Sequence, residues 1–361
     1  MNPRRGPKPF PLATAALMAA ILALRWDTIR EALAGPRWDA QMAAMFVAVA
    51  LAASVAASIL DLRRVAGGRS RASRGPRSPL RVAWRRFRAN RLAVGALYAI
   101  LALYVVALLA PILAPYDPAA MDDVLATRYQ PPSWEHLFGT DEFGRDLFSR
   151  ALYGARVSLS VGLLAVLIAT SFGTLYGAAA GYLGGWFDNA LMRGVDVIIA
   201  FPTFFLLLTL VGIFEASLVF LVVILGLTSW TGTARYIRGE VLSLKEREFV
   251  ESGRAIGLPH RVILFRHIIP NAMAPVLVSA ALMVGGMIGA EAGLSFLGIG
   301  IRPPTPSWGN MISAGQDALL VAWWIAFFPG TLLAVTILAF NLLADGLRDA
   351  LDPKTLMRKY V

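Results

Sequence analysis

Long uninterrupted apolar blocks are the feature that most constrains this chain. At a rise of about 1.5 Å per residue, about 20 apolar residues are enough for a helix to cross the hydrocarbon core of a bilayer. Eight blocks come near or exceed that length, and only 16% of the residues are charged, against about 25% in typical soluble domains. We therefore predict an all-α, polytopic membrane protein. The blocks cover residues 10–24, 41–60, 92–114, 157–183, 195–214, 217–230, 271–297 and 321–344.

Two of these assignments leave alternatives open. Only Phe214 to Ala216 separates the fifth block from the sixth, so the two could instead form one re-entrant pair. The first block could be a cleaved signal peptide, because it has a basic start and residues 32–34 read Ala-Leu-Ala. The charged run at residues 25–31 separates the apolar stretch from that site, which fits a signal peptide poorly.

The distribution of charge predicts the orientation in the membrane. The net charge is +11, and eleven arginines lie between Arg63 and Arg91 against a single acid, Asp61. This cluster is flanked by apolar spans, which is typical of a cytoplasmic loop under the positive-inside rule rather than of a nucleic-acid site. We expect a multi-pass protein of the cytoplasmic (inner) membrane with both termini in the cytoplasm. Residues 61–91, 231–270 and the tail then face inward, and residues 116–156 face outward.

The inward loop contains a predicted helix, turn and helix. Leu244 to Ile256 has helical composition, Gly257 suits the left-handed residue that ends a helix, and Pro259 suits the first turn of the next. Pro270-Asn271 is expected to break the second helix before the next span begins. An ordinary amphipathic loop on the membrane surface is the alternative interpretation of the same residues.

The same loop has a distinctive spacing of residues. Glu251 lies six residues before Gly257 and Pro270 lies thirteen residues after it, a spacing that resembles the EAA loop of ABC import permeases. Ser252 and Gly253 stand where the oldest form of the motif has alanines, and the Arg-His-x-x-Pro-Asn ending resembles the peptide-importer variant. In that family the loop docks on the ATPase subunit. The resemblance assigns ATPase coupling to Glu251, Ser252, Gly253, Ala255, Gly257, Pro259, Arg266, His267 and Pro270.

Further stretches are similar to the C-type permease subunit of dipeptide/oligopeptide (peptide/nickel) importers. They are residues 84–91, 136–150 with 154–159, 291–300 with 303–309, and 348–353, so the resemblance covers residues 78–355. It implies a six-helix type I permease core, and Glu291 and Ser295 become candidates for the outer gate or the substrate pathway. The expected divisions are an accessory region with two transmembrane helices and an Arg-rich linker at 1–76, a cytoplasmic entry segment with the first core helix at 77–115, an outer loop at 116–156, a core domain at 157–346 with its cytoplasmic coupling loop at 235–270, and a cytoplasmic tail at 347–361.

The resemblance also implies the partners and the reaction cycle. We expect a heterodimer with a homologous permease, two ATP-binding ABC subunits, an extracytoplasmic solute-binding protein and the lipid bilayer, with no nucleic acid. The solute could be a dipeptide, an oligopeptide, a glutathione-like compound or a nickel chelate. The extra helices in residues 1–76 could anchor the chain or contact the partner permease.

An enzymatic role is not expected. A P-loop needs glycine immediately before its lysine, and Pro7, Leu244, Pro353 and Arg358 precede the four lysines, so ATP is used by partner subunits and this chain is expected to bind no cofactor. Gly293-Leu-Ser resembles a protease nucleophile, but all three histidines fall in loops, and no metal site is expected. The remaining alternative is a secondary transporter driven by an ion gradient, which would usually carry acids near the midplane.

Overall fold

The computed structural model describes residues 79–121, 124–214 and 217–351. The two predicted N-terminal spans, the signal-peptide alternative, most of the arginine cluster and residues 352–361 of the tail lie outside these residues. The described residues form helices joined by loops. The helices are α1 Pro79–Ala89, α2 Arg91–Leu108, α3 Ala110–Leu113, α4 Val124–Thr127, α5 Leu147–Leu183, α6 Gly185–Ile199, α7 Thr203–Ile213, α8 Leu218–Leu244, α9 Glu248–Ala255, α10 His260–Phe296, α11 Trp308–Gln316 and α12 Trp324–Leu351.

The predicted all-α core of six spans is confirmed. Within the described residues, five helices are long and apolar enough to cross a membrane, namely α2, α5, α8, α10 and α12, and α6 with α7 makes a sixth if this bent pair counts as one span. The two halves of the pair meet at an angle of 79°. Pro202 stands at the break as the residue before α7, where its missing N–H costs no helical hydrogen bond. The break therefore falls inside the fifth block, whereas the sixth block is part of one continuous helix, α8.

Several helix boundaries differ from the apolar blocks. Helix α5 begins ten residues before the fourth block, because the Asp146 carboxylate accepts a hydrogen bond from the Ser149 N–H at 2.8 Å and caps the helix. Helix α2 ends at Leu108 rather than at residue 114, because Pro111 disfavours a continuous helix through the residues before it. Polar caps and prolines set these ends, whereas hydropathy marks only the part that crosses lipid.

The prediction that Pro270-Asn271 breaks the helix is wrong. Helix α10 runs from His260 to Phe296 without interruption, and its residues Ile263–Ile268 form a π-helix. Just beyond this stretch, the Ile269 N–H donates to the Leu264 carbonyl, five residues back rather than four. This wider turn accommodates the proline ring and its missing N–H, so the loop helix and the span join into one rod.

Helix α5 lies at the centre of the bundle and packs closely on α8. Three of its glycines, Gly173, Gly177 and Gly181, face the backbone carbonyls of Trp230, Ala234 and Arg238 in turn. A Cβ atom at Gly173 would lie 2.7 Å from the Trp230 oxygen, which no real side chain tolerates. Small residues at every fourth position therefore let the two backbones approach, as is typical of helix pairs in membranes.

Candidate coupling loop and translocation surface

The turn at Gly257 has the predicted left-handed geometry. Gly257 has a φ of 77°, its N–H donates to the Arg254 carbonyl at 3.0 Å, and the Leu258 N–H donates to the Gly253 carbonyl at 3.0 Å. These two bonds form a Schellman motif, which ends α9 and turns the chain sharply. Pro259 directly precedes α10 as its N-cap residue, one position earlier than expected. We call the end of the bundle that carries residues 235–270 the EAA end.

The helix predicted at Leu244 to Ile256 is divided into two. Helix α8 continues to Leu244, and α9 begins at Glu248 after a short break. One side of α9 is anchored, since Val250 is buried in a cluster with Ile263 and Ile268 of the π-helical stretch. The opposite side presents apolar surface to solvent, because Phe249 is 41% exposed and Ile256 is 76% exposed.

The nine residues assigned to coupling differ in exposure. Gly253 is buried on the anchored side of α9, where a Cβ atom would contact Leu258 at 3.5 Å. His267 is half-buried, and its carbonyl accepts a hydrogen bond from the Asn271 side-chain amide at 2.6 Å. The other seven are exposed and therefore available to another protein. They are Glu251, Ser252, Ala255, Gly257, Pro259, Arg266 and Pro270.

The residues that flank α9 on either side are both attached to the same end of α5. On the side before α9, the Lys245 ammonium donates to the Gly181 carbonyl at 3.3 Å. On the side after it, the His260 Nδ1 lies 2.7 Å from the Tyr182 hydroxyl. The helix is therefore held at two points and cannot tilt freely with respect to the bundle.

An ion pair joins α6 to α8 at the same end. The Arg238 guanidinium donates to both carboxylate oxygens of Asp188, at 2.5 and 2.7 Å. Asp188 is buried and lies in the first turn of α6, where a negative charge also suits the helix dipole. Bidentate geometry of this kind fixes orientation as well as distance. Sequence reasoning did not identify this pair, because its members lie 50 residues apart.

Glu291 and Ser295 lie at the opposite end of the bundle, in its interior. Glu291 is 0% exposed, and its carboxylate accepts hydrogen bonds from Ser158 at 2.8 Å and from Ser295 at 2.7 Å. The same two hydroxyls accept the backbone N–H groups of Trp308 and Ile301, at 3.3 and 3.0 Å. The cluster joins α5 and α10 to the start of α11. A role at the outer gate stays a prediction for both residues.

The segment at residues 136–150, which we predicted to face outward, is folded by buried ion pairs. Asp141 accepts from Arg145 at 2.7 Å and lies 3.5 Å from Arg150, and all three are buried. His136 lies 2.9 Å from Asp146, the residue that caps α5. The charged residues of this motif therefore build a rigid connection into α5.

A cavity of about 590 Å³ opens between α7, α8 and α10. Its lining combines hydroxyls, thioethers and glycines, and two of the hydroxyls, Ser229 and Thr233, each lie 3.8 Å from a methionine sulfur. The sequence carried a signal that could have identified it, namely the run of Thr and Ser from residue 228 to 233 within an apolar span. The lining residues are Thr203, Leu207, Leu225, Thr228, Ser229, Thr231, Gly232, Thr233, Tyr236, Val276, Ser279, Met283, Gly286, Met287 and Ala290.

A bundle of apolar spans, an open cavity between them and an exposed helix held at one end are the features of a multi-span integral membrane protein with a solute-sized cavity. Comparison with known proteins gives the family. Residues 173–357 match the model of the binding-protein-dependent transport system inner membrane component, and residues 78–132 match the N-terminal transmembrane domain of oligopeptide transport permease C. The chain belongs to this family and is a multi-pass permease subunit of a binding-protein-dependent ABC importer.

Two relatives, each 42% identical in sequence, agree with this assignment. The chain is 42% identical over 273 residues to the dipeptide transport system permease protein DppC of Bacillus subtilis, which covers 75% of this chain and 85% of that protein. It is also 42% identical over 278 residues to the glutathione transport system permease protein GsiD of Escherichia coli, covering 77% and 91%. A solved inward-facing MetNI methionine ABC transporter matches 56% of this chain and 96% of its own, with a TM-score of 0.45 and 16% identity.

Proposed function

We propose that this chain forms one half of a pathway for dipeptides or oligopeptides and couples it to separate ATPase subunits. One observation carries the proposal. The cavity is lined by residues 225–236 of α8 and 276–290 of α10, and α9 is the short connection between these same two helices. A displacement of α9 therefore acts directly on two of the three helices that line the cavity. A volume of about 590 Å³ is also within the range of small-ligand sites, about 300–1,000 Å³.

The rigidity of the loop supports this coupling. Shifting a pathway between inward-open and outward-open states from 1:99 to 99:1 requires about 5.5 kcal/mol of differential binding. A flexible loop would dissipate such a difference. The Schellman turn, the two attachments to α5 and the π-helical junction that continues α10 into the membrane make the loop suitable for transmitting it.

We propose that the EAA end faces the cytoplasm and that Phe249 and Ile256 are the apolar contacts of α9 with an ATPase subunit. The seven exposed residues of the coupling set lie in the same helix-turn-helix segment, at residues 251–270. Basic residues outnumber acidic ones in residues 231–270, which belong to this end of the bundle. The positive-inside rule predicts such an excess for cytoplasmic segments. In this orientation the protein lies in the inner membrane of the cell and both of its termini are in the cytoplasm. Residues 1–76 are proposed as an accessory region.

A homologous permease is the proposed partner across the open side of the cavity. Two ABC subunits then hydrolyse ATP, so this chain needs no catalytic residue or cofactor of its own. At the opposite end, we propose that Glu291 and Ser295 act at the outer gate by holding the segment 301–308 in place. The hydrogen bonds of these two residues to the rest of the cluster support that role.

Reconstitution tests the proposed function. The chain would be co-purified with its partner subunits in mild detergent, placed in proteoliposomes, and assayed for uptake of labelled dipeptides with ATP and the solute-binding protein. We expect uptake only when ATP, the ATPase subunits and the binding protein are all present. Uptake driven by a proton gradient without ATPase subunits would instead establish the secondary transporter.

The docking surface has its own test. Ile256→Asp should reduce the amount of ATPase that co-purifies, because it places a charge in an apolar contact. Leu320→Asp, at the opposite end and also exposed, is the matched control and should not change ATPase recovery. Equal recovery from both variants would contradict the assignment of α9 as the docking helix.

A further inference from the structure

Helix α1 is amphipathic, and its apolar side is already packed. Phe87 is 4% exposed and lies in a cluster with Ala93 of α2 and Ala350 of α12. Trp84 stacks on Phe87 with their ring centroids 5.8 Å apart. Helix α1 is thus fixed against the ends of two membrane spans, which determines where its other side points.

The other side of α1 is basic. Arg85 and Arg88 are exposed, and Arg91, three residues further on at the start of α2, is exposed as well. We call these three residues the arginine face. Among the residues that the structure describes, none of the three forms an ion pair, and the sequence of α1 contains no acid.

The position of the arginine face along the membrane normal follows from its neighbours. Helix α2 is a span that begins at Arg91, and the next residue, Leu92, is 68% exposed and starts the apolar surface. Guanidinium groups directly at the boundary of an apolar span lie at the depth of lipid headgroups, where arginine can extend its charge to the interface.

We propose that the arginine face binds the phosphate of anionic phospholipids such as phosphatidylglycerol. Guanidinium groups donate two parallel hydrogen bonds to a phosphate, which an ammonium cannot do. Arg85 and Arg88 lie three residues apart on α1 and Arg91 lies at the start of α2, and the packed Trp84 and Phe87 hold α1 in place while the lipid binds. The bound lipid steadies the contact of α1 with α12.

Lipid binding to the full chain, purified with its partner subunits in detergent, tests the proposal. Labelled phosphatidylglycerol would be titrated into wild type and into Arg85→Gln/Arg88→Gln/Arg91→Gln. Each basic residue near an anionic surface contributes about 1 kcal/mol, so the triple variant should bind about 100-fold more weakly. Arg88→Gln alone should bind about fivefold more weakly, and its small change keeps the test valid if the triple variant is unstable.

The matched control removes three exposed arginines elsewhere, namely Arg193, Arg261 and Arg302, and should leave phosphatidylglycerol affinity within about twofold of wild type. Equal losses in both triple variants would overturn the proposal, because binding would then be diffuse attraction. Equal affinity for phosphatidylcholine would overturn it too, as would displacement of the lipid by inorganic phosphate at a total ionic strength of about 0.15 M. If the arginine-face variant lost binding of a single-stranded oligonucleotide but kept the lipid, the face would be a nucleic-acid site instead.

Discussion

Gly257 offers the sharpest test of the coupling loop, because the structure separates its backbone requirement from any packing effect. Its φ is 77°, and no atom lies within 4 Å of the position that a Cβ atom would occupy. Substitution therefore produces no clash, and its cost is conformational. An L-residue in the left-handed region costs about 1–2 kcal/mol, which reduces the population of the native turn by about 5- to 30-fold.

A graded series follows from this reasoning. Asn tolerates the left-handed region best after glycine, Ala less well, and the β-branched Val least. ATP-dependent uptake in proteoliposomes should therefore fall in the order Gly, Asn, Ala, Val, with Gly257→Val below about a tenth of wild type. Membrane insertion, measured by protease protection, should not change, because the spans do not involve this turn.

Gly239→Ala is the matched control for the series. Gly239 is also exposed and has no atom within 4 Å of its Cβ position, but it lies inside α8 with an ordinary helical backbone. Alanine should preserve uptake there, because it favours helix by about 1 kcal/mol over glycine. Normal uptake by Gly257→Val, or the same loss in both glycine variants, would refute the view that a rigid turn transmits force.

Three further predictions concern the bundle and its orientation. Gly177→Leu should abolish the monodisperse peak in fluorescence-detected size exclusion, because its Cβ atom would overlap the Ala234 carbonyl; an unchanged peak would contradict the close α5–α8 contact. Glu291→Ala should destabilise the protein by about 1–3 kcal/mol more than Glu291→Gln in thermal unfolding, because it leaves buried hydroxyls without an acceptor. Equal stability of the two variants would contradict a stabilising role for these hydrogen bonds. Neutralising Arg85, Arg86 and Arg88 should weaken the fixed topology in a reporter-fusion assay. An unaltered reporter would count against the positive-inside assignment.

Much of the fold could be predicted because its signals are local. Each span appears in the sequence as an apolar run near 20 residues. The end of α9 is marked by Gly257, which is followed two residues later by Pro259. The helix ends were less predictable. Asp146 extends α5 into a polar segment, and Pro202 bends a span that hydropathy shows as continuous.

The candidate site was predicted in part for the same reason. The coupling residues are close in sequence, so their motif could be recognised, and the structure adds which of them are exposed. The cavity was missed, because its lining comes from three helices whose mutual orientation no local pattern specifies. Its hydroxyl-rich stretch at 228–233 was visible but could equally have faced another helix.

The sequence by itself determined that the chain must lie in a bilayer and where its backbone must turn at Gly257, because hydropathy and backbone sterics act over a few residues. Only the tertiary structure decided that the Glu291 carboxylate is buried. It lies near the end of a span, where a carboxylate could reach water, but Ser158, 133 residues away, and the start of α11 enclose it completely. Burial of a polar group depends on which distant segments cover it, and those contacts exist only once the helices have packed.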